Sequence, residues 1–272
     1  MELSMYTTYA LNQNFSSPVE AFKHFYDKGV RFGDIVDNEL SQYPLHLYCD
    51  YLREAEISPD ALVSMLDIAS FDKKTREKSM AKVKGYIDQM EKLSLSLIML
   101  APEVRQAIDE DELKRMQELL ISGFSRIAEY AKGSGIKVTI ENQSTLTRAD
   151  SKMEDIRYIL DCVPEIGFVL DCGNFFCIKE DVLKAYELLS DRIVRVHTKD
   201  WNFDPYGSFV RENMPRFNGA VLGHGLVPLK EIIQNLKRDS FNGKIVLEIN
   251  AGRITLDMLD KSAEFLRSEI NV

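Results

Sequence analysis

The sequence predicts an α/β chain closed into one (β/α)8 barrel, and three observations carry that prediction. Eight short apolar runs alternate with helix-like stretches along 272 residues, the pattern of parallel strands joined by helical crossovers. Four of the runs end in an acidic or imidazole side chain: Val-Thr-Ile-Glu141, Phe-Val-Leu-Asp171, Val-Arg-Val-His197 and Ile-Val-Leu-Glu248. A buried-looking run that stops at a charge marks a parallel strand whose carboxyl end carries chemistry. The length fits one barrel of roughly 250 residues, so residues 1–272 are expected to form a single domain.

The first strand is expected over residues 3–9. A helix then opens at Ser17-Pro18-Val19-Glu20, with serine in the capping position and proline in the first turn, where its missing N–H costs nothing. Gly29 ends that helix, and a second strand follows over 30–36. Pro44 and the spacing of Leu45, Tyr48 and Leu52 signal the next helix. The third strand is expected over 60–68, an amphipathic helix over 75–93, and the fourth strand over 95–100, ended by Ala101-Pro102. A long helix over 109–132 stops at Gly133-Ser134-Gly135, and strand 136–140 delivers Glu141. Helices over 153–162 and 180–189 flank the strand 166–170 that delivers Asp171, and strand 193–196 delivers His197. Residues 200–227, with proline, glycine and aromatic residues, read as a lid or binding loop. A helix over 228–237, the strand 244–247 that delivers Glu248 and a closing helix over 256–268 complete the eight units.

Hydrophobic residues make up 45 % of the chain and charged residues 28 %, which is enough apolar material for a sizeable core. The net charge of −9 argues against nucleic acid as a partner, because phosphate binding relies on Lys and Arg displacing counterions. Cys49, Cys162, Cys172 and Cys177 form no CxxC pair and read as reduced thiols, the last two as small buried hydrophobes. No stretch approaches the roughly 20 apolar residues that span a membrane, and the first residues lack a basic-then-apolar leader pattern. A cytoplasmic protein with no membrane partner is the expectation.

Glu141, Asp171, His197 and Glu248 are spaced 30, 26 and 51 residues apart. The first two intervals match one strand, one helix and their connections; the third leaves room for one long loop. A closed barrel therefore aims all four at one point, the mouth of strands five to eight. Two Glu, one Asp and one His make a hard donor set for one divalent metal ion, suited to Mn2+ first, with Mg2+, Co2+, Fe2+ or Zn2+ accommodated. The bland alternative is four unrelated strand-end groups capping helices or pairing with Lys and Arg. Four coincidences in consecutive units favour the ion.

Lys199 shares a strand side with His197, so it either enters the mouth to bind a substrate oxygen or phosphate, or sits at the surface as a loop starts. Asn142 either orients Glu141 or holds the turn. Asn174, His224 and Trp201 are further candidates for substrate contact. Trp201 and Phe203 form an apolar wall over a bound substrate or pack beneath the loop. His24 and His46 fall in helical stretches and carry no assigned role.

The segments Ile-Glu141-Asn142, Leu-Asp171-Cys-Gly-Asn174, Val-His197-Thr-Lys199-Asp200 and Leu-Glu248 resemble the xylose isomerase-like barrel superfamily, which includes sugar isomerases, ketose 3-epimerases, inosose dehydratases and endonuclease IV. The likeness covers residues 137–251 and, more loosely, a Gly33-Asp34-Ile35-Val36 segment near the start. It implies that Glu141, Asp171, His197 and Glu248 bind one divalent ion, and that Glu141 and Glu248 also form the proton-transfer pair of a sugar, sugar phosphate or polyol isomerase or epimerase. A dehydratase of the inosose type, using the same ion and base but expelling water, is the alternative. The endonuclease IV branch uses a three-metal site with several extra histidines, whereas this chain has four His in all. A catalytically idle sugar-binding barrel is the fourth reading. Related enzymes are often oligomers, so a homo-oligomer is also implied. The chain departs from the epimerase pattern where Asn174 replaces a frequent His, and where His224 replaces a carboxylate in a Gly-rich turn. It also has no secure match to the Arg that epimerases use after the seventh strand, although Arg211 and Arg216 lie there.

Overall fold

The structure, a computed structural model, describes residues 1–102, 107–210 and 215–271. Strands β1 (Glu2–Tyr6), β2 (Phe32–Val36), β3 (Ser58–Ser64), β4 (Leu97–Leu100), β5 (Lys137–Glu141), β6 (Gly167–Asp171), β7 (Ile193–Thr198) and β10 (Lys244–Leu247) close a barrel in that order. Every neighbouring pair is parallel, and the seam runs from Glu2 opposite Lys244 to Met5 opposite Leu247. The predicted (β/α)8 barrel is therefore the observed one.

Helices α2 (Pro18–Asp27), α3 (Leu45–Glu54), α4 (Lys73–Leu93), α5 (Glu110–Ala131), α6 (Met153–Cys162), α8 (Val182–Leu189), α9 (Leu229–Arg238) and α10 (Leu256–Asn271) alternate with these strands. Their starts follow side-chain chemistry: Ser17, Asp72 and Asp109 each accept a backbone N–H three residues on, satisfying a donor that the first helical turn leaves free. Their inner faces bury Phe22, Phe25, Phe124, Ile156, Ile159 and Ile232 against the barrel wall.

Three local expectations are corrected. The first strand ends at Tyr6, and residues Thr7–Leu11 turn into a short helix, α1. The β-branched Thr7 and Thr8 suit a strand, but the Thr7 hydroxyl instead donates to Glu39 at 2.9 Å, so tertiary contact outweighs propensity. The third strand stops at Ser64, whose hydroxyl donates to Asp37 at 2.8 Å, and the apolar run continues as buried loop residues Ile68 and Ala69. The long connection after β7 contains an antiparallel hairpin, β8 (Trp201–Phe203) paired with β9 (Phe217–Gly219), and a six-residue helix α7 (Cys172–Cys177) follows β6 directly.

Below the mouth, the barrel interior holds charge. The Arg195 guanidinium donates from Nη1 to both Asp34 oxygens at 2.6 Å and from Nη2 to Asp60. Ser4 and Ser96 each donate to one of these carboxylates at 2.6 Å. Arg195 is 2 % exposed and Asp34 fully buried, so this is a paired, hydrogen-bonded charge set of the kind that burial tolerates.

Candidate metal centre

Strand register sets the height of each functional side chain. Asp171 lies opposite His197 across β6 and β7, and Glu141 lies opposite Val169, two residues lower on β6. His197 lies opposite Val246, and Glu248 follows two residues later, just past β10. The four side chains meet at the mouth, each offering one ligand atom, with all four atoms within 4.8 Å of one another. The structure thus brings together the four residues singled out from the sequence.

His197 Nδ1 faces the cluster, 2.6 Å from Glu141 Oε1, 3.1 Å from Glu248 Oε2 and 3.2 Å from the Tyr6 hydroxyl. Lys199 enters it too, with Nζ 2.7 Å from Asp171 Oδ2, 2.8 Å from Glu248 Oε1 and 3.1 Å from Asn174 Oδ1. Asn142 holds the strand end: its side chain accepts the Asp171 amide at 2.8 Å and donates to the Asp171 carbonyl at 3.0 Å. Asn174 donates to the Asn142 carbonyl at 2.9 Å, and its own amide caps onto Asp171 Oδ1 at 2.8 Å. Asp171 is therefore fixed through both backbone and side chain.

The electrostatics follow from burial and crowding. Burial pushes the Asp171 carboxyl up to about 7 against the pull of Lys199. Burial would raise Glu248 as well, but Lys199 and His197 outweigh it and hold that carboxyl down to about 2. Burial disfavours the imidazolium of His197, yet Glu141 and Glu248 raise it to about 10. Burial thus sets the direction at Asp171, and the neighbouring opposite charges set it at Glu248 and His197.

The residues fit a divalent ion. Among the described residues, Glu248 Oε2 and His197 Nε2 are buried without a hydrogen bond, although Oε2 stands 3.1 Å from Nδ1. Three carboxylates set against one lysine and a neutral imidazole carry two negative charges, the charge one divalent cation balances. Oxygen and imidazole ligands suit hard or borderline ions, and a ligating histidine must give up its proton.

The other predicted residues take varied places. Trp201 is fully buried, donates from Nε1 to the Gly173 carbonyl at 3.0 Å and packs on Phe209 and Phe217. Phe203 is 62 % exposed on the hairpin. His224 is exposed in its Gly-rich turn, as is Arg216 beside β9, while Arg211 lies outside the described residues. His24 and His46 lie in α2 and α3 as expected, and Cys172 and Cys177 are buried.

Sequence reasoning missed Tyr6, Tyr9 and Asp200. Tyr6 stacks edge-on against His197, with ring centroids 5.3 Å apart. Burial first, then Glu248, raises both tyrosines well above the usual phenol range, so they act as neutral hydrogen-bonding groups. The signal available was an aromatic hydroxyl at the end of the first strand, which matters only once the barrel closes. Asp200 accepts four backbone N–H bonds, from Trp201, Gly223, Gly225 and Val227, at 2.9–3.0 Å, and so folds the turn carrying His224.

No curated protein sequence matches the chain. Among solved structures, D-psicose 3-epimerase from Clostridium cellulolyticum, determined with D-tagatose, superposes with a TM-score of 0.77 at 16% identity over 100% of both chains. The IolI protein with a bound zinc atom gives a TM-score of 0.75 at 16% identity, over 99% of this chain and 95% of that one. A probable 3-DHS dehydratase, AsbF of Bacillus anthracis, gives 0.74 at 17% identity, over 98% and 99%. These likenesses establish a shared fold. The profile of one family matches residues 20–269, and the chain accordingly belongs to the Xylose isomerase-like TIM barrel family.

Proposed function

We propose that the protein is a divalent-metal-dependent isomerase or epimerase acting on a small sugar, sugar phosphate or polyol, and that it moves a proton beside a carbonyl through an enediolate. The observation that carries this reading is the convergence of Glu141, Asp171, His197 and Glu248 to within 4.8 Å at the barrel mouth. These four are the proposed ligands of one ion, Mn2+ first among the candidates. Bound there, such an ion supplies Lewis-acid stabilisation of negative charge on substrate oxygens. Glu141 stands on β5 and Glu248 just past β10, with β6 and β7 between them. From these two sides one carboxylate removes the proton and the other returns it. Asn174, Lys199 and His224 remain proposed substrate contacts, whereas Trp201, fully buried against Phe209 and Phe217, takes the alternative place expected for it, packed beneath the loop. A single domain over 1–272, a cytoplasmic location and a homo-oligomer belong to the same reading.

Dehydration is the second reading, favoured by the Lys199 ammonium 2.8 Å from Glu248 Oε1. An ammonium beside a carboxylate pairs an acid with a base, which the loss of a hydroxyl requires. The test is proton NMR of ketoses and inososes in deuterated buffer with Mn2+, comparing wild type with Glu248→Gln. Deuterium uptake or a new epimer in the wild type alone is the expected result. A conjugated product selects dehydration, and silence across the panel counts against proton transfer here.

A further inference from the structure

Two of the four proposed ligands already touch a cation that the protein itself supplies. The three N–H donors of the Lys199 ammonium are matched by three acceptors, on Asp171, Glu248 and Asn174, at 2.7, 2.8 and 3.1 Å. The side chain is only 7 % exposed. Its place is built into the fold: a Cβ on Gly173 would come 2.7 Å from Lys199 Cβ and 2.8 Å from the Trp201 indole nitrogen, so glycine at the start of α7 is what lets Lys199 pass. The Trp201 indole then locks this corner through its bond to the Gly173 carbonyl.

We propose that Lys199 is a resident counter-cation, which keeps Asp171 and Glu248 assembled when no divalent ion is bound and weakens the hold of that ion when it is. The inference rests on the metal-site reading above. Buried carboxylates without a partner are strongly destabilising, so Lys199 preserves the site in its ion-free state. Like charges a few ångströms apart repel in a poorly solvated pocket, so the same ammonium opposes the incoming cation. The site is thereby preformed and its ion exchangeable, rather than assembled by the ion and held tightly.

The probe is Mn2+ alone, added to the full chain after chelation. Binding is read from the electron paramagnetic resonance of free Mn2+, and ion-free stability from calorimetry. Lys199→Met is expected to bind Mn2+ at least about tenfold more tightly than wild type, with a lower melting temperature in chelator. Lys199→Gln, which keeps N–H donors but loses the charge, is expected to tighten binding similarly. Lys199→Arg is expected to restore wild-type affinity. Should the Met variant fail to fold without ion, the Gln variant is read instead, and Mn2+-dependent folding of either supports the proposal. Equal or weaker Mn2+ binding in both neutral variants overturns it. Failure of the metal reading is distinct: wild type and every variant then ignore Mn2+, whereas binding gained only in the neutral variants keeps the inference and shows the ammonium standing in the ion's place.

Discussion

The Tyr9 hydroxyl donates to the Ile249 carbonyl at 2.9 Å and accepts the Ile249 amide at 3.1 Å, so a side chain from α1 takes both backbone groups of the residue next to Glu248. Both residues are buried. Tyr9→Phe leaves that amide and carbonyl without a partner and should destabilise the fold by about 1–3 kcal/mol. It should also weaken Mn2+ binding, because the backbone carrying Glu248 loosens. Urea unfolding and Mn2+ titration check this; wild-type values in both would refute a positioning role.

Removing the ion should lower thermal stability. At 100 times its dissociation constant a ligand specific to the native state contributes about 2.7 kcal/mol. Calorimetry in chelator and in saturating Mn2+ should show separated melting temperatures for wild type, and the gap should close in Asp171→Asn. Identical wild-type curves would argue that no ion binds.

Arg195 is paired to Asp34 and Asp60 inside the barrel. Arg195→Met strands two buried carboxylates and should cost about 3–5 kcal/mol. Adding Asp34→Leu should recover part of the loss, since one stranded charge is then gone. Chemical denaturation of the single and double variants measures the difference, and a neutral single variant would contradict the assignment.

Burial pushes the Glu39 carboxyl from 4.5 up to about 7, outweighing the hydrogen bond from Thr7 that pulls it down. Between those two values the native state holds a proton that the unfolded chain has released. Stability contributed by this group is complete below pH 4.5 and declines as pH rises towards 7. Glu39→Gln should therefore gain stability relative to wild type between pH 5 and pH 8. Urea midpoints at the two pH values decide the matter; a constant difference would mean that Glu39 titrates normally.

Asp200 is 1 % exposed and gathers four amides onto two oxygens. Asp200→Asn retains one acceptor oxygen and replaces the other with a donor group facing N–H donors. Amide hydrogen exchange at Gly223, Gly225 and Val227 should then accelerate by about tenfold or more, the equivalent of losing roughly 1.4 kcal/mol of protection. Unchanged exchange would assign the fold of this turn to other contacts.

What could be read in the amino-acid sequence was local. Strand β10 has the expected bounds, Ser17 caps the helix expected of it, and each of Glu141, Asp171, His197 and Glu248 stands at the end of an apolar run. Hydrophobic periodicity and capping act over a few residues, so they are written in consecutive letters. The end of β1 at Tyr6, the hairpin inside residues 200–227 and helix α7 were not legible, because packing overrides propensity in short segments.

The sequence by itself determined the alternation of strands and helices and the acidic and imidazole groups at four strand ends. Only the tertiary structure decided what surrounds them. Tyr6 reaches His197 across 191 residues and Tyr9 reaches Ile249 across 240, while Lys199 became a partner of Asp171 and Glu248. The tyrosine contacts arise when the barrel closes β1 against β10 and the lysine contacts when β7 pairs with β6 and β10, and these pairings fix distances between residues that no local pattern relates.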